Sequence, residues 1–122
     1  METLNDIQTI IVEQLLQRNY KMKDLAKLVI LKNTKGVTSQ SLAERVVRYE
    51  IEQIRLTKKL EFDGKLLYIC GSNNGYSLQN KDSKEFLIFT KRQLKRFKTC
   101  QSVVNSIASF NNDYVNDETL LN

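Results

Sequence analysis

A chain with no proline and only four glycines can change direction in few places. Gly36, Gly64, Gly71 and Gly75 all read as punctuation between periodic segments. They divide the chain into helix, helix, helix, hairpin and helix, an α+β order. Leu4, Ile7, Ile10, Ile11 and Leu15 carry a helical period from Leu4 to Arg18, with Asn5 or Asp6 available at its start. Leu25, Leu28, Val29 and Leu31 repeat the pattern over Met22–Lys32, where Gly36 suits a left-handed cap. In the third segment Ser41 and Glu44 have capping-box spacing, and Val47, Ile51 and Ile54 share one apolar face.

The other side of that third segment is charged. Ser41, Arg45, Arg48, Glu52, Arg55 and Lys59 recur at alternating spacings of four and three, which puts them on one helical face. A hairpin follows: Leu66–Cys70 is β-prone, Gly71–Gly75 is a turn cluster, and Tyr76–Leu78 returns. A basic helix running into such a hairpin is the layout of a winged helix-turn-helix, here with a long C-terminal helix. Two registers fit. In one, Thr38–Val46 is the positioning helix and the reading helix begins near Arg48. In the other, Met22–Leu31 positions a single long helix that starts at Ser41. The turn signals in Lys32–Val46 favour the first. The division expected is an N-terminal helical extension over 1–20, a winged-helix domain over 21–80, a long helix over 81–110 and a disordered tail over 111–122.

Duplex DNA is the partner this layout predicts, and the formal net charge of +5 agrees with it. Arg45, Arg48, Arg55 and Lys59 supply donors suited to base edges and phosphates, while Glu52 pairs with or tunes them. Gln53, just off the seam, matches adenine. Ser39, Gln40 and Ser41 at the helix start, and Ser72, Asn73 and Asn74 at the hairpin tip, suit phosphate oxygens. Tyr76 reads as a packing aromatic.

The last segment opens with Asp82 and Glu85 at capping-box spacing. Phe86, Leu94, Phe97, Val104 and Ile107 share an arc opposite Lys84, Lys91, Lys95 and Lys98; it fits either packing across the winged-helix core or, the favoured expectation, a homodimer through this helix with a two-fold DNA site. A winged helix used for protein contact is the competing expectation: an inhibitor or adaptor of a host enzyme, or an assembly subunit of terminase-like or replication type. Enzymatic chemistry is not expected. The chain has no histidine, no phosphate-binding loop motif and no carboxylate spacing that marks an acid–base pair. Cys70 and Cys100 lie far apart and read as reduced thiols, so neither metal nor cofactor is expected. The absence of a long apolar run and of a signal-like start makes the cytoplasm the expected compartment, with no membrane contact.

The run Ile69–Leu78 (ICGSNNGYSL), preceded by Leu60–Gly64 (LEFDG), resembles the wing of small winged helix-turn-helix proteins encoded by phages of low-GC bacteria. Arg45–Arg55 is similar to the reading helix of that group, and a long charged helix after the wing is usual there. The resemblance covers roughly Thr38 to Ile107. Extra residues after Gly64 and a longer linker before Leu60 depart from the pattern. It implies a duplex-DNA-binding regulator or replication accessory of a phage or mobile element.

Overall fold

The computed structural model describes residues 3–32 and 36–114, with side chains through residue 110. The chain is α+β: helices α1 (Asp6–Gln17), α2 (Met22–Leu31) and α3 (Gln40–Thr57), strands β1 (Leu60–Phe62), β2 (Lys65–Ser72) and β3 (Gly75–Gln79), and a long helix α4 (Lys84–Tyr114). The strands form one antiparallel sheet in the order β1-β2-β3.

Asn5 starts α1 with a reciprocal capping box, its side chain accepting from the Gln8 N–H while the Gln8 side chain accepts from the Asn5 N–H. Ile7, Ile11, Val12 and Leu15 then bury into the same cluster as Leu25, Ala26 and Val29 of α2 and Ala43, Val47, Ile51 and Ile54 of α3. Each large side chain so buried contributes about 1.5–3 kcal/mol. α1 is therefore the first helix of the core, not an extension to it. Buried Glu50 (7 % exposed) ties α3 to the start of α1 by accepting from Asn5 Nδ2 at 3.0 Å and Gln8 Nε2 at 3.2 Å. Two neutral donors satisfy this carboxylate without a cation.

α3 is continuous, and this overturns the favoured register. A break near Arg48 is absent because nothing from Glu44 to Tyr49 forms a turn, and because Ala43, Val47, Ile51 and Ile54 bury as one stripe. Interrupting the helix would swing part of that stripe out of the core. Its cap also differs: Ser39 Oγ accepts the Leu42 N–H at 3.1 Å, so Ser41 and Glu44 make no capping box. The same shift occurs at α4, where Ser83 Oγ, rather than Asp82, accepts the Phe86 N–H at 3.0 Å. Gly36 has a left-handed φ of 71° but stands beyond the end of α2 at Lys32.

The expected two-stranded hairpin is a three-stranded sheet. Asp63 and Gly64 both take positive φ (52° and 77°) and join β1 to β2 in a two-residue turn, pairing Phe62 with Lys65. Gly71, read as punctuation, lies inside β2 opposite Tyr76. Between β2 and β3 the turn residues are Asn73 and Asn74, and the positive φ falls on Gly75 (105°). A side chain at Gly75 would meet the Tyr20 carbonyl, because Tyr20, between α1 and α2, bridges to Tyr76 through both backbone hydrogen bonds (3.1 and 2.7 Å). The sheet thereby reaches across to the α1–α2 link.

The chain divides into two compact units, the first ending at Phe89 and the second beginning at Thr90. The second is the remainder of α4, a helix whose side chains from Lys91 to Ile107 are all exposed. Of the tail expected over 111–122, residues 111–114 belong to α4 and the rest lie outside the described residues. No helix among the described residues is long and apolar enough to cross a membrane.

Candidate functional site

The face of α3 opposite its buried stripe presents Ser41, Leu42, Arg45, Arg48, Tyr49, Glu52 and Leu56 to solvent. Arg45 and Arg48 make no hydrogen bond or ion pair among the described residues, so both guanidiniums are available. The ion pair that Glu52 makes is with Arg55, at 3.9 Å, and with the Glu52 carboxylate in solvent a pair of that length contributes only tenths of a kcal/mol.

Arg55 is not on this face. A row averaging 3.6 residues per step still scatters around the helix, and Arg55 falls at its edge, toward β2. Its side chain is 17 % exposed. Nε–H donates to the Ile69 carbonyl at 2.9 Å, and the guanidinium lies 5.1 Å from the Phe89 ring centroid, 5.9 Å from Tyr68 and 6.0 Å from Tyr76. Tyr68 in turn meets Phe86 edge-on and Phe89 at a tilt, so aromatic rings from β2, β3 and the first turns of α4 gather around one cation. This is a fastening: it holds Arg55 against β2 and the rings rather than on the outward face of α3. It also takes Phe86 out of the expected dimer face.

The other expected residues divide similarly. Ser39 is committed as the helix cap. Gln40 Nε2 donates to the Lys23 carbonyl at 3.2 Å and to Glu44 at 3.1 Å, holding the start of α3 against α2. Ser41 is exposed on the outward face. Gln53 sits on the α1 side of α3, in an open cleft with Asn5, Gln8, Tyr49, Glu50 and Lys58, away from Arg48. Lys59 is exposed beyond the helix end at Thr57, so it leaves the seam. At the hairpin tip Ser72 Oγ accepts the Asn74 N–H at 3.2 Å and lies 3.4 Å from the Gly75 carbonyl, which commits it to the turn. Asn73 and Asn74 are exposed.

Leu42, Tyr49 and Leu56 belong to the outward face and were not expected there. They stand seven residues apart, so they line up along it, and Tyr49 and Leu56 are 62 % and 70 % exposed. That spacing was legible: all three fall opposite Val47, Ile51 and Ile54, where no core can cover them.

Both cysteines are free thiols. Cys70 is buried beside Arg55, and burial pushes its thiol up to about 11 against a smaller downward pull from the guanidinium. Cys100 is exposed on α4.

No protein-family model, curated protein or solved structure matches the chain. The functional reading rests on the face itself.

Proposed function

We propose that the chain is a winged helix-turn-helix protein that binds double-stranded DNA without a cofactor. In this reading α2 is the positioning helix, α3 enters the major groove and the β2–β3 hairpin is the wing. The observation that carries it is the pair of unengaged guanidiniums, Arg45 and Arg48, on the outward face of the helix that follows α2. Arg presents two parallel donors to guanine O6 and N7 or to phosphate. Ser41 at the start of α3 and the amides of Asn73 and Asn74 add phosphate partners. The setting implied by the wing resemblance is a regulator or replication accessory of a phage or mobile element.

Arg45→Ala and Arg48→Ala are each expected to weaken binding by about 1–3 kcal/mol, or roughly 5- to 150-fold, with no loss of fold. Fluorescence anisotropy with a mixed-sequence duplex at several salt concentrations measures this. Wild-type affinity should fall steeply with salt, and each phosphate-contacting arginine removed should flatten that slope by about one unit. Absence of binding at low salt, or equal affinity of both variants and wild type, would remove α3 from such a role.

The row Leu42, Tyr49 and Leu56 favours a second reading, protein contact through the same face. Exposed apolar residues in line form the kind of helix face that a partner groove covers. A complex built on that row would respond little to salt and would be lost in Leu56→Ser, whereas DNA binding would survive that change.

A further inference from the structure

The first half of the second unit carries cations that no acid on the same stretch of helix answers. Lys91, Arg92, Lys95, Arg96 and Lys98 are all exposed, and their side chains make no ion pair or hydrogen bond among the described residues. The sequence has no acid between Glu85 and Asp113, so none stands three or four residues away to pair with them. We infer that Lys91, Lys95 and Lys98 bind the phosphodiester backbone of a nucleic acid, in a sequence-independent contact separate from α3.

Two observations point to a linear polyanion. The first is the repulsion built into the arrangement. Lys91 and Lys95, like Arg92 and Arg96, are four residues apart, and Lys95 stands three from both Arg92 and Lys98. Like charges at those spacings oppose one another along a helix. Spread over about 10 Å of axis at roughly 1.5 Å per residue, these cations make a field that a row of phosphates neutralises, releasing its own condensed counterions.

The second is where the row leads. Lys91, Lys95 and Lys98 continue at helical spacing into Ser102, Ser106 and Ser109, all exposed, so the six share one side of α4. Ser102 Oγ already donates to the Lys98 carbonyl at 3.0 Å, which leaves Ser106 and Ser109 as hydroxyl donors beyond the lysines. Ammonium and hydroxyl groups are partners of phosphate oxygens, and a lysine, as a point charge, lacks the two-point fork that reads a base edge. Phe97, Val104 and Ile107 lie around the opposite side of the helix. A lipid surface that took in those three would turn the lysines toward water, so the lysine side fits a strand of phosphates better than a bilayer.

The test uses the full chain and a fluorescein-labelled, mixed-sequence duplex, with anisotropy read across a range of salt. Lys91→Gln, Lys95→Gln and Lys98→Gln combined are expected to make the dependence of log Kd on log salt shallower by about 2–3 units. Binding near 0.1 M salt should weaken at least about tenfold, with no fall in melting temperature. A charge-matched control removes three exposed lysines of the first unit, Lys32→Gln, Lys65→Gln and Lys81→Gln, and should move the slope by less than about one unit. The role of α3 fails separately: Arg45→Ala and Arg48→Ala would keep wild-type affinity while the α4 variant lost it. A wild-type slope in the α4 variant, an equal change in the control, or no duplex binding by the wild type at low salt would overturn the contact. So would unchanged duplex affinity beside lost pelleting with phosphatidylserine vesicles, which would assign the row to lipid.

Discussion

Arg55→Ala is expected to destabilise the first unit by about 2–3 kcal/mol, lowering its melting temperature by roughly 10–20 °C. The charged donor to the Ile69 carbonyl is worth about 1.5–3 kcal/mol and the ring contacts about 0.5–2, offset in part by the desolvation that a buried guanidinium suffers. Beyond Leu67, β2 has no strand partner on its β1 edge among the described residues, so this bond serves a carbonyl near the end of strand pairing. Arg55→Lys should recover less than half of the loss, because an ammonium keeps the charge but neither the Nε donor nor the planar stack. Arg48→Ala should melt within about 1 °C of wild type. If Arg55→Ala melted normally yet lost DNA affinity, Arg55 would return to the reading face and the aromatic fastening would be wrong.

Gly75→Ala is expected to cost more, about 3–4 kcal/mol. An added Cβ would lie 2.5 Å from the Tyr20 carbonyl oxygen and 2.8 Å from its carbon, both backbone atoms. Neither can retreat without losing the 2.7 Å hydrogen bond from the Tyr76 N–H. The φ of 105° adds strain of about 1–3 kcal/mol for any L-residue. Gly64→Ala is the control: its φ is also positive, but no atom lies within 4 Å of the added Cβ, so about 1 kcal/mol is expected. Thermal melts of the pair decide the matter. Equal losses would mean that the hairpin tip and the α1–α2 link are not joined as described.

Much of this architecture is legible without coordinates, and the parts that are not share a cause. α1 and α2 fall within two residues of where their 3.6-residue period puts them, because each buries a stripe that its own sequence spells out. Arg45 is legible for the same reason, as it lies across the helix from Val47 and Ile51, and Arg48 falls at the edge of that outward face. The register of α3 is harder, because Ser39 and Ser41 both make acceptable caps and only the core stripe chooses between them. β1 hides in three residues, although Asp63-Gly64 is a strong hairpin signal. The fate of Arg55 is out of reach of any one-dimensional pattern. It depends on where β2, β3 and Phe89 arrive, and local spacing cannot report that.

The Tyr20–Tyr76 bridge has a consequence for how the molecule assembles. Those residues are 56 positions apart, whereas α2 meets α3, and β1 meets β2, through short connections. Loop-closure entropy makes the distant pairing the last to be rewarded, so the helices and the β1–β2 turn are expected to organise first. A substitution that weakens only the bridge should therefore speed unfolding and leave the folding rate nearly unchanged. Stopped-flow kinetics of Gly75→Ala, whose added Cβ presses on the Tyr20 carbonyl, would test this, and a slowed folding arm would place the bridge in the nucleus instead. With folding unchanged and unfolding faster, the α1–α2 link where it meets the hairpin is the clasp of the fold, closed after everything it holds.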